Sequence, residues 1–107
     1  MRYKAVAHEG RVSCGCYVIL SGSVLCTSIL LGINMELLTG AYFGESALIG
    51  ERYCRVDVAA RERTRLLLLS PASVKAAGVD LTELRIKWIM RLLQVPSIRN
   101  AALSYHV

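Results

Sequence analysis

The sequence predicts a mainly β chain, an antiparallel barrel or sandwich, with helices at its C-terminal end. Two patterns predict it. Between Tyr3 and Leu69 the chain is a series of short β-prone runs separated by glycine-containing turns. After Ser70-Pro71 apolar residues recur at helical spacing. The length of 107 residues suits a single domain, and 54% hydrophobic with 20% charged residues describes a packed chain rather than a disordered one.

The elements follow in order. Tyr3–His8 reads as a strand that ends at the turn Glu9-Gly10. Cys16-Tyr17-Val18-Ile19-Leu20 is a compact β-prone run stopped by Ser21-Gly22-Ser23. Val24–Leu31 is a second run, broken at Gly32, and Ile33–Leu38 a third, closed by Thr39-Gly40. Gly44 and Gly50 bracket a short helix-capable stretch. Cys54–Ala60 and Arg63–Leu69 read as strands flanking Arg61-Glu62, with Val56 and Val58 on one face and Arg55 and Asp57 on the other. Ser70 then caps a short helix with Pro71 at its first position, and Gly78 stops it. Asp80 and Glu83 form a capping-box-like pair for a longer helix, whose apolar stripe is Leu81, Leu84, Trp88 and Leu92 and which Pro96 ends. Ile98–Val107 reads as the start of another helical element.

Composition narrows the function classes. Cys14–Met35 carries no charge and is long enough to span a bilayer, but Ser21-Gly22-Ser23 is turn chemistry in its middle, so two strands and a turn are expected and no membrane span. Cys14, Cys16, Cys26 and Cys54 lack metal-ligand spacing. With no apolar leader behind Met1-Arg2-Tyr3-Lys4, they read as reduced core residues of a cytoplasmic protein, with no metal and no cofactor. The formal net charge is +5, and Arg52, Arg55, Arg61, Arg63 and Arg65 cluster, with Arg85 further on, as a solvated strand face or a surface for an anionic partner. No nucleophile–base pair is visible. Ser46 lacks the glycine two residues on that a nucleophile elbow needs, so no enzyme is expected. No helix-turn-helix segment follows, so no nucleic-acid partner is expected either.

The stretch Gly40-Ala41-Tyr42-Phe43-Gly44-Glu45-Ser46-Ala47-Leu48 carries the chemistry. Gly44 lets the backbone turn tightly and approach a ligand. The amides after it open a short helix whose positive end favours a phosphate. The Glu45 carboxylate can accept hydrogen bonds from a sugar hydroxyl, and a basic residue on the following strand would neutralise the phosphate.

This stretch resembles the phosphate-binding cassette of the cyclic-nucleotide-binding domain family, G-x-x-F-G-E-x-A-L. The flanks resemble it too: Tyr17–Val24 (Y-V-I-L-S-G-x-V), Glu9-Gly10 before it, then Val58-Ala59-Ala60 and Leu66–Ser70 after it. The resemblance implies an antiparallel jelly-roll barrel of the cyclic-nucleotide-binding type over residues 1–95, with strands over about 3–69 and lid-type helices over about 71–94. Residues 96–107 are then a tail or the start of a following element. It implies a regulatory module in which cAMP or cGMP sits on the cassette, with protein partners or parent-chain domains reading the switch. Gly44 would make the cassette turn, Glu45 would hold the ribose 2′-hydroxyl, and Ser46 and Ala47 would donate amides to the cyclic phosphate. Trp88 either caps the base or packs its helix on the barrel.

The chain departs from the family at the phosphate-binding arginine. An ungapped register puts Cys54 there, flanked by Arg52 and Arg55. On strand alternation Arg55 aims away from the phosphate unless a bulge redirects it. A loop shorter by two residues lets Arg52 take the role. The region before Tyr3 is also shorter than usual, and Ser13-Cys14 stand where the family has Gly-Asp, so the expectation is a divergent or truncated member. The alternative function is a degenerate, ligand-free barrel acting as a structural or protein-interaction module.

Overall fold

The computed structural model describes residues 4–49, 53–76 and 103–107. It contains β1 (Lys4–Ala7), β2 (Cys16–Ser21), β3 (Ser23–Ser28), β4 (Ile33–Leu38), β5 (Tyr42–Phe43), a 3-10 turn (Glu45–Ile49), β6 (Asp57–Ala60), β7 (Arg65–Leu69), α1 (Pro71–Ala76) and β8 (Leu103–His106). Among the described residues two four-stranded sheets form, ordered β1-β6-β3-β4 and β5-β2-β7-β8. Every pairing is antiparallel.

The alternation of the sequence decides which faces meet. In β3 and β6, Val24, Cys26, Val58 and Ala60 are buried, and the register pairs Val24 with Ala60 and Cys26 with Val58. Ile19 opposes Leu66 in the other sheet. Ile19, Val24, Cys26, Phe43, Val58 and Leu66 pack as one core drawn from both sheets. Each such side chain contributes roughly 1.5–3 kcal/mol by leaving water. Val18, on the opposite side of β2 from Ile19, is also buried. The 3-10 turn packs on β2 and α1 packs on the turn, burying Leu48 and Val74. With both faces covered, this stretch of β2 reads as a continuous apolar run rather than an alternating one.

The uncharged segment Cys14–Met35 therefore holds two strands, β2 and β3, joined at Gly22 as expected, and the first residues of β4. Among the described residues no helix is long and apolar enough to cross a membrane. β3 is shorter than expected. It stops at Ser28 rather than Leu31, because Ser28 Oγ accepts the Leu31 N–H at 3.2 Å and donates to Glu9 Oε1 at 3.0 Å, closing a turn at the strand's end. The turn leaves Ile29, Leu30 and Leu31 exposed.

A second correction concerns the C-terminus. Leu103–His106 is not helical but pairs with β7, from Arg65↔His106 to Leu68↔Leu103. Val107 extends the ladder with two bonds to Thr64, at 2.9 and 3.0 Å. The backbone groups along that side of β7 need partners, and this segment supplies them. A third concerns the cysteines. Cys16 and Cys26 are core residues, but Cys14 is exposed and Cys54 half-buried, and all four are free thiols. The expected helix with Asp80, Glu83 and Trp88 lies outside the described residues, as does Gly78. The short helix after Ser70 does begin at Pro71, and Val74 N donates to Ser70 O at 3.2 Å.

Candidate functional site

The cassette is built onto β2. Phe43 opposes Tyr17, and their rings stack with centroids 5.1 Å apart. Gly40 N donates to Ile19 O and Ile19 N to Ala41 O, both at 2.9 Å, which ties the entry of β5 to the same strand. The chain then reverses at Gly44, where φ is +76° and an added Cβ would lie 2.7 Å from Gly15 O. Gly44 is thus required by a left-handed turn and by close approach to another loop. The 3-10 turn follows at once. Ala47 N donates to Gly44 O at 3.1 Å, and Ala47 and Leu48 are buried as its anchor.

In this structure the Ala47 amide is taken up within the turn and its side chain is buried beneath it. Ser46 is half-buried and lines a cavity of about 400 Å³, together with Gly44.

The opposite wall comes from the loop after β1. Arg11 N donates to His8 O at 3.1 Å with Gly10 at φ +83°, the pattern of a type II turn. Gly10 N donates to Cys54 O and Cys54 N to Arg11 O, both at 2.8 Å. Two residues, Gly10 and Arg11, therefore oppose the single residue Cys54, which is a β-bulge with a left-handed glycine in its first position. Val12 then bridges Tyr53. The turn at Glu9-Gly10 is what brings Arg11 beside Cys54.

The cavity has a mixed lining. Val6, Tyr17, Met35, Leu37, Phe43 and Val58 supply apolar wall. His8, Arg11, Ser46, Cys54 and Arg55 supply polar groups, and no carboxylate is among the described lining residues. Arg55 reaches the same cavity as Gly44, against the alternation argument. Residues 55 and 56 form a bend and β6 begins only at Asp57, so strand alternation does not govern where Arg55 points. Of the site residues expected from sequence, Gly44, Ser46, Cys54 and Arg55 share this cavity, and Ala47 does not line it. Glu45 opens the 3-10 turn. Its side chain, Arg52 and Trp88 lie outside what is described. Arg11, His8 and Tyr53 also line the cavity and were not picked out by any motif.

Comparison with known proteins places this arrangement. The family model for the cyclic nucleotide-binding domain matches residues 3–77. No curated protein matches the chain in sequence. Among solved structures, the EAL enzyme Bd1971 is similar in its half-site-occupied form, at 25% identity and TM-score 0.60, over 92% of this chain and 88% of that one. Its cAMP-bound form matches at 26% and 0.60, over 94% and 27%. The regulatory domain of Toxoplasma gondii PKA with cAMP matches at 22% and 0.65, over 85% and 37%, and Thermus thermophilus catabolite activator protein at 21% and 0.59, over 94% and 42%. The chain spans well under half the length of those last three. The fold is that of the cAMP-binding regulatory domains, and with the family model matching most of its length the chain belongs to the cyclic nucleotide-binding domain family.

Proposed function

We propose that this domain is a regulatory module that binds cAMP or cGMP in the cavity beside Gly44. The observation that carries the reading is that the cassette turn and the loops around Cys54 share one cavity of about 400 Å³. That volume is within the range of about 300–1,000 Å³ in which small ligands are held. In this reading the cyclic phosphate sits against the backbone of Gly44 and Ser46, where glycine permits close approach. Glu45 takes the ribose 2′-hydroxyl, and the apolar wall with the stacked Tyr17–Phe43 pair keeps water from the ligand. Arg55, or Arg52, adds positive charge toward the phosphate. Parent-chain domains or a protein partner would read whether the cavity is occupied. The cAMP-bound form of the EAL enzyme, at 26% identity, supports the ligand class.

The test is a cAMP and a cGMP titration followed by thermal stability and by the fluorescence of Trp88, the one tryptophan of the sequence. Saturable stabilisation that Glu45→Ala removes is the expected result; at a hundred times the dissociation constant it amounts to about 2.7 kcal/mol. The ungapped register, which puts Cys54 in the place of the family's arginine, favours a second reading, a ligand-free interaction module. An unchanged melting point at millimolar nucleotide would decide for it.

A further inference from the structure

We infer that Arg11 is a residue that pairs with the ligand's anionic group, standing in for the arginine that the ungapped register replaces by Cys54. The inference rests on the reading of the cavity as a nucleotide site and goes beyond it, because the cassette pattern assigns no role to the loop after β1. Three observations carry it. The first is position. Arg11 is bonded backbone to backbone with Cys54, the residue that the ungapped register puts in the arginine's place, through Cys54 N to Arg11 O at 2.8 Å. The bulge at Gly10 sets this pairing, and bulges commonly re-aim a side chain next to a binding site.

The second is access. Arg11 is exposed and lines the same cavity as Gly44, Ser46 and Cys54. The third is charge. No carboxylate is among the described residues of the cavity wall, and no ion pair of Arg11 is seen among the described residues. A guanidinium beside a wall whose described residues include no carboxylate favours an anion there, and its planar fork suits a phosphate. Arg55 lines the cavity too, but it already has an interaction of its own within the protein.

The test is calorimetric titration of cAMP into the full chain and three variants. Arg11→Ala is expected to weaken cAMP at least tenfold, and Arg11→Lys, which keeps the charge but not the fork, by less. Arg65→Ala removes an exposed arginine that does not line the cavity, at the same change in net charge, and is expected to leave affinity within twofold. Melting of each ligand-free variant checks folding; the side chain of Arg11 is exposed and only its backbone makes the bulge bonds, so little change is expected. Wild-type binding with Arg11→Ala within twofold of it would overturn the role of Arg11 and leave the nucleotide site standing. Equal losses in Arg11→Ala and Arg65→Ala would reduce the effect to net charge and overturn it as well. Absence of wild-type binding at millimolar cAMP and cGMP would overturn both.

Discussion

Gly44→Ala tests whether the cassette turn is held by backbone geometry, and its cost can be worked out from the structure. Gly44 sits at φ +76°, and an added Cβ would come 2.7 Å from Gly15 O. The left-handed conformation costs an alanine about 1–2 kcal/mol. Forcing a methyl group against a backbone oxygen adds about 1–3 kcal/mol, because neither loop can yield as a flexible side chain would. The sum is about 2–5 kcal/mol, a large part of the roughly 5–15 kcal/mol that holds a domain folded. At about 4–8 °C per kcal/mol for a domain near this size, melting should fall by at least about 8 °C. Gly40→Ala is the control, since Gly40 has φ +91° and nothing within 4 Å of its added Cβ. It should lose only the conformational part. Both variants are compared by urea denaturation and thermal melting followed by circular dichroism. If the two cost the same within about 0.5 kcal/mol, the close approach of Gly44 to Gly15 plays no part in holding the cassette.

Three further outcomes follow from the same structure. Ile19 is 1% exposed within the two-sheet core, so Ile19→Ala should destabilise by about 2–5 kcal/mol in a urea titration. Buried Thr64 accepts the Ser23 N–H at 3.3 Å, and its Oγ1 lies 2.9 Å from Glu62 O and 3.1 Å from Ser23 O as a donor. Thr64→Val keeps the shape and removes these partners, and should cost about 1–3 kcal/mol in the same assay. Cys54→Arg restores a guanidinium to a cavity-lining position and should tighten cAMP by about tenfold or more in calorimetric titration, the equivalent of about 1.5–3 kcal/mol.

Much of this fold was legible in the sequence because it is local. Ser21-Gly22-Ser23 separates β2 from β3, and alternation put Val58 and Asp57 on opposite faces, of which the first is buried and the second exposed. Where local signals were overridden, the cause was a distant partner. Ile29-Leu30-Leu31 is as apolar as a strand, yet Ser28 turns the chain by bonding Leu31 and Glu9. The residues before Val107 read as helical in isolation, but the hydrogen-bonding edge of β7 draws Leu103–His106 into a strand.

The candidate site divides the same way. Gly44 and Ser46 were legible from a contiguous motif with a physical rationale for each position. Arg11 was not. Its place depends on the pairing of Gly10 and Arg11 with Cys54, more than forty residues away, and on one extra residue in a bulge. Arg55 was placed by assuming strand alternation in a segment that bends instead.

The claim that a nucleotide occupies the cavity between the cassette turn and the Arg11 bulge is tested most directly by following backbone amide resonances while cAMP is added. Saturable shifts confined to Arg11, Gly44, Ser46, Cys54 and their neighbours, with Arg63, which does not line the cavity, unmoved, are the expected result. Amides that stay fixed at millimolar cAMP and cGMP, or that move only outside the cavity wall, would contradict it.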